Sequence, residues 1–266
     1  MAASNDRVQS VEKAFLLLET MAKSGHSVSL QELAESLGWA KSSVHRMLST
    51  MRESHIVEQS QRDGKYSLGS RLFELGCAAS GGWEILRLAK PYLQRVASLT
   101  NESVCLATVV EGEVLVLDFV DSINPWHIVS RPGAKLPAHC TVQGKIMLAQ
   151  MSLLEVQRIL REHGMHRYTP NTICDAQTMQ QELQKVRQQG YAVDNSEYRT
   201  GLCSVAAPIF DADGQVRYTV GVVSMFGSPS GPKFNEVLEL LLAVAGDISR
   251  ALGYEDCTDK IGSEKE

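Results

Sequence analysis

The sequence lacks any apolar run long enough to cross a bilayer, and its N-terminus lacks the basic, apolar and small-residue regions of a signal peptide. Its six cysteines are scattered, and no two of them form a Cys-x-x-Cys pair. This spacing is typical of reduced cysteines rather than of a disulfide framework or a zinc cluster. We therefore expect a cytoplasmic protein that needs no metal ion or other cofactor.

An excess of positive charge is also missing. Lys and Arg number 26 against 31 Asp and Glu, which gives a net charge of -5. Residues 1–76 are neutral, with nine basic and nine acidic residues. A generally basic surface for nucleic acid is thus excluded, and any contact with nucleic acid depends on local placement of charge. The length of 266 residues indicates two domains.

Residues 29–54 read as two short helices joined by a tight turn. Ser29 followed by Glu32 is a capping-box pattern, which predicts that the first helix begins there. Gly38 ends this helix, and the second helix runs from about Ala40 to Glu53. Upstream, an apolar stripe predicts a first helix that packs under the pair and completes a three-helix core. Its members are Val8, Val11, Phe15, Leu18 and Ala22.

The second helix of the pair has an exposed face that suits DNA. Ser42, His45, Arg46 and Ser49 recur at helical spacing, with Lys41 and Ser43 beside them. No acidic residue lies between positions 39 and 52. Arg reads guanine edges in the major groove, and short hydroxyls reach bases or phosphates. We predict that these six residues contact DNA.

A short hairpin follows the helix pair. Residues 56–58 and 66–68 predict two strands around a polar turn that carries Arg62 and Lys65. These two cations are expected to anchor the hairpin to phosphate, as the wing of a winged helix-turn-helix. The alternative is an amphipathic helical pair with a merely solvated face.

The rest of the chain divides in two. Residues 69–100 read as a helical linker and dimerisation segment between a DNA-binding domain at 1–68 and a second domain at 101–266, with Gly81, Gly82 and Pro91 as breaks or kinks. In the second domain, strands are followed by helices and then by strands again, including a short strand over 126–130. This order predicts an α+β fold with a central antiparallel sheet.

Three stretches carry a family resemblance. The run from Pro132 to Ala149, with its Gly144-Lys145 pair, resembles the glycine-lysine signature of the IclR family of bacterial transcriptional regulators. The segment from Gly190 through Ile209 and the helix 41–48 are similar to that family as well. The resemblance implies a winged helix, a linker helix and a GAF-like effector-binding domain. It further implies a homodimer or dimer of dimers that binds double-stranded operator DNA and controls a catabolic operon, as repressor or activator, in response to a small organic acid.

The resemblance also implies an effector pocket beside the start of the helix 141–150, whose free backbone N–H groups are suited to a carboxylate. The expected pocket residues are Trp126, Val142, Gln143, Asp194, Cys203, Ser204, Gly221 and Val223. Few polar anchors and a Trp wall favour an aromatic or branched acid.

Two other kinds of chemistry stay open as alternatives. Cys203, His139 and Asp194 match the residue types of a nucleophile, a base and an orienting acid, so a GAF-like enzyme or a thiol sensor is the rival function. In that case the helix-turn-helix would not read DNA. His139, Cys140 and Cys174 lack the pairwise spacing of metal ligands, so we predict no metal site.

Overall fold

The computed structural model describes residues 8–80, 84–121, 130–224 and 231–255. The chain divides into two compact units, Met1–Trp83 and Glu84–Glu266. Among the described residues, no helix is long and apolar enough to cross a membrane.

The first unit contains three helices, a hairpin and a fourth helix. Its elements are α1 (Gln9–Ser24), α2 (Leu30–Leu37), α3 (Lys41–Glu53), β1 (Val57–Gln59), β2 (Tyr66–Leu68) and α4 (Ser70–Ser80). The strands β1 and β2 pair antiparallel, and an isolated bridge joins Val28 to Tyr66. The winged helix-turn-helix architecture predicted from the sequence is therefore present in this unit.

The turn between α2 and α3 is defined by two local signals. The Ser29 hydroxyl accepts from the Glu32 backbone N–H at 3.2 Å, and the Ser29 N–H donates to the Glu32 carboxylate at 2.7 Å. This capping box satisfies two backbone donors that the helix itself leaves unpaired. Gly38 ends α2 with a φ of 65°, a left-handed conformation that glycine adopts without steric cost. Both predictions for this segment are confirmed.

The stripe predicted for α1 is wrong for most of its members, although Leu18 packs against the core as predicted. Leu17 and Met21 are the buried residues of this helix, whereas Val8, Val11 and Phe15 are 61%, 50% and 63% exposed. Helix α1 carries apolar residues along two neighbouring lines, and periodicity alone does not decide which line meets the core. The core of the unit lies on the Leu17 side, where it includes Leu33, Val44 and Leu48.

The second unit is an α+β domain, as predicted. Its elements are α5 (Glu84–Thr100), β3 (Ser103–Val110), β4 (Glu113–Val120), β5 (Lys135–Pro137), α6 (Val142–Gln150), α7 (Leu153–His163), α8 (Ala176–Gln189), β6 (Ala192–Asn195), β7 (Cys203–Phe210), β8 (Val216–Ser224) and α9 (Pro232–Ala251). The strand β5 was not predicted, and the strand expected over 126–130 lies almost entirely outside the described residues.

One antiparallel six-stranded sheet organises this unit, in the order β5-β4-β3-β8-β7-β6. Helices α5 and α9 cover one face, where Leu93, Leu241 and Val205 belong to a common core. Helices α6, α7 and α8 cover the other face around Ile146, Met179 and Ala206. Alternate residues of each strand therefore belong to different cores.

The segment 69–100, expected as a single linker, contains two helices with different surroundings. Helix α4 belongs to the first unit, whereas α5 buries Ile85, Ala89 and Leu93 in the core of the second unit. Helix α5 continues through Pro91 without ending there.

Candidate DNA-binding surface and effector pocket

The orientation of α3 is set by two apolar side chains that lie in the core, so the opposite side of the helix faces outward. Val44 and Leu48 are fully buried. Lys41, Ser42, Ser43, His45 and Arg46 are exposed, and Ser49 is half-buried. The face holds no carboxylate, and within the described ranges the Arg46 guanidinium makes no hydrogen bond or ion pair. Its forked donors are therefore available to an acceptor outside the unit.

The hairpin tip is held to α3 by side-chain hydrogen bonds. The Arg52 guanidinium donates to the side-chain oxygen of Gln59 at 2.7 Å, and the side-chain N–H of Gln59 donates to the Gly64 backbone carbonyl at 3.0 Å. Arg62 is exposed and Lys65 is half-buried. A hydrogen bond with the Ser60 hydroxyl lowers the pKa of Asp63, so an ionised carboxylate lies between the two cations.

A groove of about 540 Å³ runs between α1 and α3, and sequence reasoning missed it. Ser43 and Arg46 border this groove together with Lys13 of α1. The Lys13 ammonium lies 5.7 Å from the centre of the Trp39 ring. Lys13 thus adds a cation beside the face of α3. Its position was not foreseen, because the buried side of α1 was assigned wrongly.

In the second unit, a cavity of about 80 Å³ lies beside the start of α6. Five of the residues expected at an effector pocket line it: Val142, Gln143, Asp194, Ser204 and Val223. The Thr141 hydroxyl donates to the Pro137 carbonyl at 2.7 Å and does not cap the helix. The first backbone N–H groups of α6, which have no partner within the helix, therefore lie beside this cavity.

The polar groups of the cavity are few and buried. Gln143, Asp194 and Ser204 are 4%, 2% and 3% exposed. Within the described residues, the Gln143 amide and the Ser204 hydroxyl make no hydrogen bond. Their polar atoms therefore remain available to a ligand, as is typical of a small-molecule site with a few convergent polar groups.

Asp194 has an unusual electrostatic environment. Burial raises the pKa of Asp194 to about 7, and the nearby Glu197 carboxylate adds to the shift. Two interactions lower the pKa of Asp194 and so partly offset this rise. The Glu197 backbone N–H donates to the Asp194 carboxyl at 2.6 Å, and the positive charge of the Lys145 ammonium favours the ionised carboxylate. A carboxyl group with a pKa near 7 is partly protonated at neutral pH. In a cavity wall it is a candidate hydrogen-bond donor to a bound anion.

Several lining residues were not predicted. Phe119, Leu136 and Leu202 supply apolar surface, and Tyr198 and Arg199 add polar groups. Arg199 borders the cavity, and its guanidinium lies 5.6 Å from the centre of the Tyr198 ring.

The prediction that Cys203 borders the pocket is corrected. Cys203 belongs to the core under α5 and α9, on the opposite face of the sheet from Ser204, because successive side chains of a strand alternate between faces. Gly221 lies beneath Gln143, since a Cβ on Gly221 would come within 3.0 Å of the Gln143 amide nitrogen. Trp126 lies outside the described residues.

Cys203 has the properties of a buried, protonated thiol. Burial, reinforced by the charge of Asp194, raises the pKa of Cys203 to about 11. His139 contacts the His166 carbonyl at 3.0 Å and is directed away from the other face, where Cys203 lies. Within the described ranges, no three His, Cys, Asp or Glu side chains could hold a metal ion. Because His139 and Cys203 lie on different sides of the sheet, the structure does not bring together the nucleophile, base and acid of the alternative enzyme.

Comparison with known proteins finds matches to one protein family over nearly the whole chain. Residues 10–61 match the IclR helix-turn-helix domain, and residues 77–250 match the family described as bacterial transcriptional regulator IclR C-terminal. The HTH-type transcriptional regulator KdgR of Dickeya chrysanthemi is 33% identical over 251 residues, which cover 94% of this chain and 82% of the relative.

Solved structures agree. The Thermotoga maritima IclR structure is 30% identical with a TM-score of 0.75, and the match covers 93% of this chain and 100% of that one. An IclR homolog from Microbacterium hydrocarbonoxydans, solved in complex with 4-hydroxybenzoate, has a TM-score of 0.82, with 91% and 98% covered. At 23% identity, this second likeness concerns the fold alone.

The relatives are regulators of transcription rather than enzymes, so the enzyme alternative is not favoured. The family resemblance inferred from the sequence is confirmed. The chain belongs to the IclR family of bacterial transcriptional regulators, in which a helix-turn-helix domain is joined to an effector-binding domain.

Proposed function

We propose that this regulator binds a two-fold symmetric operator through α3 and the β1–β2 hairpin, and that a small organic acid in the α6 cavity controls this binding. The observation that carries the DNA contact is the outward face of α3. It holds Lys41, Arg46 and His45 with no carboxylate, and the Arg46 guanidinium is uncommitted among the described residues. Lys41, Arg46 and the serines would contact base edges and phosphates.

The hairpin supplies phosphate contacts in this proposal. Arg62 is exposed at the tip, and Lys65 is half-buried beside it. The Arg52–Gln59–Gly64 hydrogen bonds fix the tip relative to α3, so a contact by one element positions the other. Phosphate contacts by Arg62 and Lys65 would contribute affinity and its salt dependence, but little sequence discrimination.

Two copies of the chain would together form the DNA-binding assembly. Helix α1 exposes Val11 and Phe15, and Val8 just before it is exposed as well, while α4 exposes Phe73 at 77% and Leu75 at 47%. Large apolar side chains concentrated on two helices of one small unit favour burial against a second copy. We propose a homodimer, which matches a pseudo-palindromic operator, and a dimer of dimers as the larger assembly. The site of action is the cytoplasm, where the operator DNA is.

The effector would be a small acid. The first N–H groups of α6, the Gln143 amide and the Arg199 guanidinium are donors at the cavity, whereas Phe119, Leu136 and Val223 offer apolar surface. A volume of about 80 Å³ favours a compact acid. The 4-hydroxybenzoate in a protein of the same fold is an example of a small acid bound by such a homolog.

The test of DNA reading is selection of operator fragments. Purified protein is mixed with sheared genomic DNA of its source, bound fragments are recovered, and their affinity is followed against salt concentration. We expect a discrete, two-fold symmetric site whose affinity falls steeply with salt. Uniformly weak binding to all fragments would contradict the proposal.

The test of acid binding is a thermal-shift screen. A panel of small acids that includes 4-hydroxybenzoate is compared with the corresponding amides, which lack the carboxylate. We expect at least one acid, but not its amide, to raise the melting temperature, because a ligand that binds only the folded state stabilises it. No response to any acid would count against this cavity as an acid site.

A further inference from the structure

Lys145 is a charged residue with no exposed surface. It lies in α6, one turn after the residues that line the cavity, and its exposed fraction is 0%. Its ammonium donates to the Glu182 carboxylate at 3.0 Å, to the Val193 carbonyl at 3.1 Å and to the Glu197 carboxylate. A buried ammonium is tolerated only when such acceptors surround it, and an apolar side chain would fill the space with less desolvation cost.

Two of the three acceptors lie on either side of Asp194. Val193 precedes it, and Glu197 follows it by three residues. The Glu197 backbone N–H in turn donates to the Asp194 carboxyl at 2.6 Å. Lys145 therefore bonds to both ends of the 193–197 segment, which carries Asp194.

A second set of hydrogen bonds holds the same segment from outside. The Thr169 hydroxyl donates to the Ser196 carbonyl at 2.6 Å, and the Thr172 hydroxyl donates to the Glu197 carbonyl at 2.6 Å. The Asn171 amide donates to the Asn195 carbonyl at 2.9 Å. The chain that continues into Tyr198 and Arg199 at the cavity wall thus begins from a fixed position.

The charges around Lys145 do not balance. Asp194, Glu182 and Glu197 are three carboxyl groups near one buried ammonium. The second oxygen of the Glu197 carboxylate is buried and has no hydrogen-bond partner among the described residues. Ionising all three carboxyl groups would leave excess negative charge in a poorly solvated region, so the cluster favours retention of a proton.

We propose that Lys145 and Glu197 are positioning residues that hold Asp194 at the cavity wall and keep its carboxyl group able to donate a hydrogen bond to an acidic ligand. This inference rests on the proposed acid site. The negative charge of Glu197 opposes ionisation of Asp194, and the positive charge of Lys145 partly offsets this opposition. Neither side chain touches the ligand.

The other ionisable or charged groups around Asp194 act differently. They are Tyr198 and Arg199 after β6, Cys105 on β3, Cys140 before α6 and Cys203 on β7. Burial raises the pKa of both Cys105 and Cys140 to about 12, so these thiols are neutral near pH 7. Lys145 and Glu197 remain as the charged side chains that act on Asp194.

The test is an infrared titration of the full-length protein without ligand or DNA. The absorption of protonated carboxyl groups is followed against pH, and the band that disappears in Asp194→Asn is assigned to Asp194. We expect that band to titrate with a midpoint near pH 7 in the unaltered protein. In Glu197→Gln, which keeps the backbone donor and the side-chain shape, the midpoint should fall measurably, because the like charge that opposes ionisation of Asp194 is gone.

Glu182→Gln is the matched control. It also removes a carboxylate bonded to Lys145, but Glu182 lies on α8, outside the 194–197 segment, and its side chain is partly exposed to solvent, which weakens its effect on Asp194. Its midpoint should stay unchanged, and Lys145→Gln should move the midpoint upward. Equal midpoints in the unaltered protein and in folded Glu197→Gln would overturn the proposal. Because no ligand is present, this result is independent of whether any acid binds.

Discussion

Gly144 lies directly against the backbone of Ala138. A Cβ built on Gly144 would come within 2.2 Å of the Ala138 carbonyl oxygen and 2.3 Å of its Cα. This contact brings the first turn of α6 onto the chain that leaves β5, and Val142 and Gln143 of that turn line the cavity. The glycine is required by close approach, because the obstructing atoms are backbone atoms that cannot rotate away.

Gly144→Ala should therefore destabilise the second unit by about 1–3 kcal/mol or more, since the added methyl group forces α6 away from residue 138. Urea unfolding followed by circular dichroism measures the change. Gly76→Ala in α4 is the matched control, because a Cβ there meets nothing within 4 Å. That variant should be unchanged or stabilised by up to about 1 kcal/mol. Equal effects of the two substitutions would contradict the packing described.

Arg46→Ala should weaken operator binding by about 1–3 kcal/mol and relax discrimination at the base pair that Arg46 reads. Fluorescence anisotropy with the selected operator and with single-base variants measures both effects. Arg158→Ala serves as the control, since Arg158 is an exposed arginine of the second unit that pairs with Glu162. Unchanged affinity in a folded Arg46→Ala protein would remove Arg46 from the interface.

Arg62→Ala should act differently, because a phosphate contact carries no sequence information. We expect operator and non-specific DNA to lose affinity by similar factors, and the slope of log affinity against log salt to become shallower by about 1. The same anisotropy titration, repeated over a range of salt concentrations, tests this. A loss confined to the operator would instead assign Arg62 to base reading.

Val223→Phe should block acid binding, because the larger side chain enters a cavity of only about 80 Å³. For any acid found by thermal shift, we expect calorimetry to show at least a tenfold lower affinity, about 1.4 kcal/mol. Operator affinity without acid should remain unchanged. Val110→Phe, on an exposed residue at the end of β3, should leave acid binding intact. An unaffected Val223→Phe protein would place the acid elsewhere.

The two capping boxes offer a comparison between units. Ser29 caps α2 and Ser152 caps α7, each with a glutamate three residues later. Replacing either serine with alanine should cost about 0.5–2 kcal/mol. Hydrogen exchange should localise the loss to the first unit in Ser29→Ala and to the second in Ser152→Ala. Loss in both units from one substitution would show that the units unfold together.

Much of the first unit could be predicted from the sequence. The capping box at Ser29, the glycine turn at Gly38 and the buried positions Val44 and Leu48 depend on contacts within a few residues. The one error, the face of α1, arose where two apolar lines compete on one helix. Only the position of the core, set by residues distant in sequence, chooses between them.

The cavity was predictable only in part. The start of α6 and the alternation of β7 and β8 bring Val142, Ser204 and Val223 to one face, and strand alternation would also have placed Cys203 on the other. Leu136 was missed because β5 is three residues long and has no periodic signal of its own. Arg199 was missed because a loop charge has no pattern that shows its orientation.

The sequence by itself indicated the family through the resemblance of three stretches of residues. It also determined the α+β class and the helix-turn-helix, since these depend on periodicity, caps and turns encoded over short distances. Only the tertiary structure decided that Lys145, Glu197 and Asp194 form one buried cluster beside the cavity. Their protonation depends on burial and on charges brought together from separate elements. A local pattern of residues contains neither quantity, because both arise only when the chain has folded.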